Sequence, residues 1–329
     1  DGSNGRPPYV VANESDATRD VTLRVWEVGP GLGAMSEMLV GRCADLVLFE
    51  IDRSFAAYLR RLFREKYGGA EVDEMVHRAG SKTRVEVVEG DVLQTWRRWL
   101  EQGSSGEEEK ASENTAGSPA KESGPASRRP DRILGNLPYN AAAKIISSFL
   151  EGGVFEHRKD QEGGDLELRP GQKGEATGPR PAHTDRMVFT VQKEVGQRMT
   201  ARPGDREYSS FSVFTALYSD VYDGGDVAAG SFYPPPKVTS RIVVLEPHDR
   251  YTEQVRSTAV QLVREAFSTR RKTLSNALKG GALSTRLGGE RLLEALRRAE
   301  IDPGLRGETL STEQFVEAAE VIEQLSEES

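Results

Sequence analysis

Short apolar runs alternate with stretches of helical apolar spacing over the first two thirds of the chain. The runs predict strands over residues 23–28, 45–51, 84–88, 132–134, 186–192 and 238–245. Helices are predicted after Gly33, over 141–150, and after Ser54, which we expect to cap the helix that carries Phe55 and Leu59. Because strands that alternate with helices favour a parallel sheet covered on both faces, the fold class is predicted to be α/β, doubly wound and Rossmann-like.

After Pro247 the pattern changes to helices alone, predicted over 252–267, 273–278, 290–298 and 311–325. Ser311 and Gln314 have the spacing of a capping box at the start of the last helix. We therefore predict two domains, residues 1–247 with the sheet and a small all-α domain at 248–329.

Two stretches interrupt this pattern, at about residues 102–130 and 156–185. Both are dense in Gly, Ser, Pro, Glu and Lys and almost free of aliphatic residues, so we expect disordered surface insertions. The chain has a single cysteine, Cys43, and its apolar runs are shorter than the roughly 18 residues that cross a bilayer. A cytoplasmic protein without a membrane partner is expected.

The net charge of −8 at first disfavours a nucleic-acid partner. However, residues 232–298 contain 13 Lys or Arg against six Asp or Glu. The acidic residues are concentrated elsewhere, so this part of the chain retains a basic surface.

Gly29, Gly31 and Gly33 lie at a predicted strand-to-helix turn, where the backbone can approach a ligand closely. The pattern indicates a nucleotide-like ligand, and Glu50 at the end of the next strand can accept from ribose hydroxyls. At this point a dehydrogenase and an S-adenosylmethionine-dependent methyltransferase remain equally open. Asp91 ends a third strand at the same predicted edge; it either contacts an adenine amine or caps the next helix.

The tetrapeptide Asn136-Leu137-Pro138-Tyr139 follows the fourth predicted strand and indicates methylation of an amino nitrogen such as adenine N6, in RNA or in DNA. The Asn136 side chain and the Leu137 carbonyl can accept from the N6 amine and aim its lone pair at a methyl group. Pro138 stiffens the turn, and Tyr139 offers a ring on which a flipped-out base stacks. Phe232, in a proline-rich loop, either supplies the opposite stacking face or packs in the core; together with the tetrapeptide we favour stacking. No metal is needed.

At this point the chain resembles the KsgA/Dim ribosomal RNA adenine dimethyltransferases. The matching stretches run in the family's order: Glu27-Val-Gly-Pro-Gly-Leu-Gly33, Phe49-Glu-Ile-Asp52, Gly90-Asp91, Gly135-Asn-Leu-Pro-Tyr-Asn140, Gln192-Lys-Glu-Val195, Phe232-Tyr-Pro-Pro-Pro-Lys-Val238, Glu265-Ala-Phe267, Arg270-Arg-Lys-Thr273 and Ile301-Asp-Pro303.

The resemblance implies a class I methyltransferase that dimethylates two adjacent adenosines in the 3'-terminal hairpin loop of small-subunit (16S) ribosomal RNA during ribosome biogenesis. S-adenosylmethionine is the implied donor and S-adenosylhomocysteine the product; the implied partner is the pre-30S subunit, bound by a monomer. The expected cofactor-binding residues are Glu27, Gly29, Gly31, Gly33, Glu50, Asp91, Val92 and Asn136. The expected RNA-binding residues are Lys237, Arg270, Arg271, Lys272 and Lys279, although such a charge run is also typical of a solvated helix face.

The chain departs from the family at its start, because residues 1–26 contain no Gly-Gln-Asn-Phe-Leu segment. Since the chain begins at Asp1 and the later motifs are intact, we hypothesise that it is a trimmed version of a longer protein. Two alternatives remain open: an Erm-type large-subunit RNA methyltransferase, and a ribosome-assembly or transcription factor that keeps the fold without methylating.

Overall fold

In the computed structural model, the described residues are 22–67, 75–78, 81–104, 128–155, 185–232, 235–269 and 271–328. They form two compact units. The first unit lies within Ala12–Asn136 and Gly152–Met187, and the second within Leu137–Glu151 and Val188–Ser329. The predicted division at residue 247 is a different one and stays a prediction.

The first unit contains five strands with hydrogen-bonded order β3-β4-β2-β1-β5. They are β1 (Arg24–Val28), β2 (Asp45–Glu50), β3 (Met75–Arg78), β4 (Ser81–Glu89) and β5 (Arg132–Asn136). The helices are α1 (Ala34–Leu39), α2 (Arg53–Tyr67) and α3 (Val92–Ser104). All pairs are parallel except β3 with β4, which is antiparallel. Sequence reasoning missed β3.

The second unit begins with α4 (Ala142–Glu151), and its strands have the order β6-β8-β7. These are β6 (Arg186–Gln192, whose first two residues belong to the first unit), β7 (Ser219–Val227) and β8 (Ser240–Pro247), with helices α5 (Lys193–Thr200) and α6 (Ser210–Tyr218). Strands β7 and β8 are antiparallel. Strand β8 starts two residues later than predicted, and α5, α6 and β7 were not predicted.

Past Pro247 the described residues contain helices alone, as the pattern predicts: α7 (Glu253–Phe267), α8 (Leu274–Ala277), α9 (Ala282–Leu287), α10 (Gly289–Arg298) and α11 (Thr312–Glu327). Among these, α9 was not predicted, and α8 is shorter than expected. The capping box is present, since Ser311 accepts from Gln314 N at 3.3 Å and Gln314 accepts from Ser311 N at 3.0 Å. No helix in the described part of the chain is long and apolar enough to span a bilayer.

The prediction that Ser54 caps α2 is wrong. Helix α2 begins at Arg53, and the Asp52 carboxylate accepts from the backbone N–H groups of Ser54 and Phe55 at 2.7 and 3.2 Å. An aspartate here satisfies N–H groups that the helix leaves without partners, so Asp52 has the role predicted for Ser54.

The first predicted insertion needs a correction at both ends. Residues 102–104 continue α3, and the guanidinium of Arg128 lies 4.9 Å from the centre of the Trp99 ring. Arg128 also donates to the Trp99 carbonyl at 3.4 Å, and Arg129 donates to the carbonyls of Gly153 and Val154. Residues 105–127 and 156–184 lie outside the described residues, so disorder there stays a prediction.

The core of the first unit is apolar, and its aromatic part contains all three tryptophans of the chain. Trp26 is fully buried between Phe49 and Trp99, with ring centres 5.0 and 5.5 Å away. Trp96 completes the group at 6.5 Å from Trp26. Tryptophan fluorescence therefore reports on the first unit alone.

We expect Gly135→Ala to destabilise the pairing of β1 with β5. A methyl group at Gly135 would lie 2.4 Å from the Val28 carbonyl oxygen, a backbone atom that cannot move without shifting the strand. Overpacking of this kind typically costs about 1–3 kcal/mol, measurable by urea unfolding followed by circular dichroism, which reports on both units. Gly230→Ala, where the added methyl meets nothing within 4 Å, is the control. Equal stability of the two variants would contradict the expectation.

Candidate functional site

The parallel register aligns the carboxyl ends of four strands at one edge of the first unit. Val28 on β1 is opposite both Phe49 on β2 and Gly135 on β5, and Glu50 is opposite Glu89 on β4. The ladder continues past the strand ends, because Gly29 donates to Phe49 O at 3.0 Å and Gly90 donates to Glu50 O at 2.8 Å. This edge brings together the candidates Gly29, Glu50, Asp91 and Asn136.

The glycine turn after β1 requires three left-handed residues. Gly29, Gly31 and Gly33 have φ angles of 69°, 56° and 81°, which side chains other than glycine adopt with strain. At Gly33 an added methyl would also lie 2.9 Å from the Leu59 side chain. At Gly31 it would meet nothing within 4 Å, so the turn faces open space where a ligand can approach the backbone.

Glu50 fastens this turn to the end of β2. Its side chain is almost fully buried, and its carboxylate accepts from Gly31 N at 3.0 Å and from Asp52 N at 2.9 Å. Each carboxylate oxygen can accept more than one hydrogen bond. Glu50 can therefore hold the turn and still accept from a ligand hydroxyl.

Glu27 lies buried on β1, just before the turn, and accepts from the Ser36 hydroxyl of α1 at 2.6 Å. Burial raises the pKa of Glu27 to about 7; the Ser36 hydrogen bond opposes the rise, and the negative charge of Glu50 adds to it. This carboxyl group therefore keeps its proton to a higher pH than an exposed glutamate does.

Asp91 caps α3. Its carboxylate accepts from Leu93 N at 3.0 Å, and its carbonyl accepts from Gln94 and Thr95 N at 2.9 and 3.0 Å. Of the two roles open from the sequence, the capping role is the one observed. A role towards adenine stays a prediction, as it does for its buried neighbour Val92.

The tetrapeptide spans the last residue of the first unit and the first three of the second. Asn136 ends β5 with an exposed side chain, whereas Leu137 is buried and donates its backbone N–H to Thr190 O at 3.0 Å. The Pro138 carbonyl accepts from Ala141 and Ala142 N, both at 2.9 Å, which leads the turn into α4.

Tyr139 is held by its hydroxyl. The phenol oxygen lies 2.8 Å from the Ser240 hydroxyl at the start of β8, and the tyrosine side chain is partly exposed. Phe232 is partly exposed and follows a short helical turn at Ala229–Ser231; its N–H donates to Ala229 O at 3.2 Å. The chain from Phe232 reaches Ser240 through a loop whose Tyr233 and Pro234 lie outside the described residues.

The predicted RNA-binding side chains that the structure describes are exposed: Lys237, Arg271, Lys272 and Lys279. Arg270 lies outside the described residues. Two other arginines of this region, Arg297 and Arg298, approach Glu294 at 3.9 and 3.1 Å. Their charge is partly compensated.

Sequence reasoning missed Ser36 and Ser240, which touch predicted site residues. Ser36 lies nine positions after Glu27 in the first turn of α1, a spacing that a strand–turn–helix prediction could have identified. Ser240 is 101 positions from Tyr139, and its sequence neighbourhood gives no indication of the contact.

Comparison with known proteins places this arrangement in a class. Over 92% of this chain and 90% of the other, the fold is similar to a dimethyladenosine transferase from Plasmodium falciparum, with a TM-score of 0.59 at 21% identity. It is also similar to the 23S rRNA methyltransferase ErmE, with a TM-score of 0.53 at 19% identity over 94% and 95% of the two chains. These likenesses confirm the predicted fold class, the Rossmann-like α/β methyltransferase fold.

Sequence comparison identifies the family to which the chain belongs. The family model described as ribosomal RNA adenine dimethylase matches residues 12–324. The chain is 35% identical to the ribosomal RNA small subunit methyltransferase A of Geobacter metallireducens, over 89% of this chain and 82% of that protein. Identity to the protein of that name from Treponema denticola is 30%, over 93% and 82%. The chain belongs to the ribosomal RNA adenine dimethylase family, which excludes the dehydrogenase interpretation of the glycine turn.

We expect the stability of the protein to fall between about pH 4 and pH 7 because of Glu27. Its pKa is about 7 in the folded protein and about 4.3 when unfolded, so the folded state binds an extra proton between these values. That contribution is complete below pH 4 and is lost as pH rises through 7. It amounts to about 4 kcal/mol, since each pKa unit corresponds to about 1.36 kcal/mol.

Glu27→Gln is the matched control, because it keeps an acceptor for Ser36 and cannot ionise. The free energy of unfolding is measured in urea by tryptophan fluorescence at each pH. Parallel pH profiles for the two proteins would show that Glu27 does not titrate in this range.

Proposed function

We propose that this protein transfers methyl groups from S-adenosylmethionine to the N6 amines of two adjacent adenosines in the 3'-terminal hairpin loop of small-subunit ribosomal RNA. The products are N6,N6-dimethyladenosine and S-adenosylhomocysteine. The observation that carries this is Asn136 at the strand edge shared by the glycine turn and Glu50, in a member of the adenine dimethylase family. The names of the two relatives favour the small subunit over the large one.

The residues at the edge fit S-adenosylmethionine. The open glycine turn offers backbone to the amino-acid part of the donor, the buried Glu50 carboxylate is placed to accept from the ribose hydroxyls, and Asp91 lies at the next strand end. When bound, the donor supplies a methyl group on a positively charged sulfur, which makes that methyl electrophilic. The protein therefore has to orient the acceptor more than it has to activate it.

The acceptor is a weak nucleophile, because the lone pair of an adenine N6 amine is delocalised into the ring. The exposed Asn136 amide oxygen and the Leu137 carbonyl accept from this amine and favour a tetrahedral nitrogen. Leu137 is fixed for this by its own hydrogen bond to Thr190. After transfer, the surplus N6 proton leaves to solvent, so no strong base is required.

Tyr139 and Phe232 hold the base by stacking. Both rings are partly exposed, as a stacking surface must be, and stacking on an aromatic side chain contributes about 1–3 kcal/mol per base. Adenine reaches such rings from a loop or after flipping out of a helix. A target adenosine in a hairpin loop can therefore reach the Tyr139 and Phe232 rings.

The exposed cations Lys237, Arg271, Lys272 and Lys279 would contact RNA phosphates. Phosphate contacts position the RNA, whereas the base-stacking residues select the target. We infer that the protein works on the pre-30S subunit as a monomer in the cytoplasm.

We expect Asn136→Ala to reduce methyl transfer at least about a hundredfold, as removal of a group that stabilises a transition state typically does. The assay follows labelled methyl from S-adenosylmethionine into unmethylated small subunits. Circular dichroism of the variant should match that of the parent, since the side chain is exposed.

The same assay separates the alternatives. Transfer to large-subunit RNA in place of small subunits would favour the Erm-type activity. RNA binding by the parent protein without transfer to either subunit would leave the assembly-factor interpretation.

We expect the double charge reversal Arg271→Glu, Lys272→Glu to weaken RNA binding and to reduce its dependence on salt, by about one unit of logarithmic slope per lost phosphate contact. Affinity for S-adenosylmethionine should stay the same. Reversal of Arg297 and Arg298, which are paired with Glu294, is the matched control and should have a smaller effect. A larger effect of the control would mean that the RNA contacts Arg297 and Arg298 more than Arg271 and Lys272.

A further inference from the structure

We infer that Ser240 is a positioning residue for the target base, acting through the Tyr139 ring. This inference rests on the proposed function, in which adenine stacks on Tyr139. It concerns what keeps that ring in place when no base is bound.

The contact joins two hydroxyl groups. The Tyr139 phenol oxygen and the Ser240 Oγ are 2.8 Å apart, the usual distance for a hydrogen bond between hydroxyls. Ser240 is fully buried, whereas Tyr139 is partly exposed. The tip of the tyrosine is thus attached to the protein interior while part of its side chain stays accessible.

Ser240 is well suited to be the fixed partner. It opens β8 and is paired with Val227 on β7. The preceding residue, Thr239, accepts from Lys193 N at 3.0 Å, and the Lys193 side chain forms an ion pair with Asp226 at 2.6 Å. The backbone on both sides of the Ser240 hydroxyl is therefore held by neighbouring elements.

A second attachment comes from the backbone of the turn. Leu137 N donates to Thr190 O, and the Pro138 carbonyl begins the hydrogen bonding of α4. Tyr139 is consequently held at its Cα by the turn and at its hydroxyl by Ser240. A tyrosine has two side-chain torsions, so these two attachments leave the ring little freedom to rotate away.

This contact also defines what the Tyr139 hydroxyl does. A phenol that is hydrogen-bonded to a buried serine acts by orienting its own ring. The predicted consequence is that Tyr139→Phe and Ser240→Ala lower kcat by the same amount. Each removes one end of the same hydrogen bond and leaves the aromatic face intact.

The test is a double-mutant cycle on methyl transfer to unmethylated small subunits, with saturating S-adenosylmethionine. Ser240→Ala and Tyr139→Phe are each expected to lower kcat about three- to tenfold, the usual effect of losing one neutral hydrogen bond that holds a reacting partner. The double variant should be no slower than either single one, because both changes break the same contact. The KM for S-adenosylmethionine and the pH profile of kcat should not change.

Ser219→Ala is the matched control. Ser219 is also a buried serine, and its hydroxyl donates to the Thr215 carbonyl at 2.9 Å. This variant should lose about as much stability as Ser240→Ala, since the two hydrogen bonds have a similar net strength. It should keep kcat within about twofold, because the Ser219 hydroxyl bonds to Thr215 and not to Tyr139.

The outcomes are distinguishable. A parent protein that transfers no methyl group contradicts the proposed function itself. If the parent is active, additive losses in the cycle, or a Ser240→Ala variant as active as Ser219→Ala, overturn the positioning role. A much larger loss in Tyr139→Phe than in Ser240→Ala also overturns it, because the hydroxyl would then have a chemical task. If Ser240→Ala does not fold, normal kcat in Tyr139→Phe is sufficient to overturn the inference.

Discussion

The backbone hydrogen bonds that carry the parallel ladder past the ends of β1 and β4 are the interactions on which the site depends. Gly29 N bonds to Phe49 O, and Gly90 N bonds to Glu50 O. Through them, residues far apart in the chain come to one edge without any side chain having to attract another. A glycine-rich turn, a buried acid and an exposed amide then need only occupy the positions after their strands.

The two units support different parts of the proposed chemistry. In the first unit, Glu50 connects the glycine turn to β2, and Glu27 with Ser36 connects β1 to α1, so the donor side is built from buried acids and backbone N–H groups. The second unit holds an aromatic ring by its hydroxyl and by the turn that leads into α4. Hydrogen bonds to buried acids fix the glycine turn in the first unit, and a hydrogen bond to Tyr139 orients its ring in the second. In the proposed reaction, both position a reactant.

Much of this was predictable from the sequence because it depends on local patterns. Strand and helix alternation, the glycine turn and the Ser311 capping box each extend over a few residues, and the structure has them where they were expected. The shared edge was predictable too, since parallel strands place their carboxyl ends together.

The sequence could not show which of two nearby residues caps a helix, nor which residues far apart in the chain are in contact. Asp52 and Ser54 are both good caps, and only the structure shows that the helix starts early enough for Asp52. Helix α6 was missed because it is apolar on nearly every face and so lacks the helical periodicity of a half-exposed helix. The partner of Tyr139 is determined by the order of β6, β8 and β7, which no local pattern encodes.

The stacking of Arg128 on Trp99 has a practical consequence. Arg128 lies against α3, where the Trp99 ring and the Trp99 carbonyl hold its guanidinium. Arg128 is thereby held against a tryptophan that is itself part of the core. Because tryptophan fluorescence depends on the surroundings of the indole ring, the effect of a substitution at Arg128 can be followed directly by fluorescence, without a label.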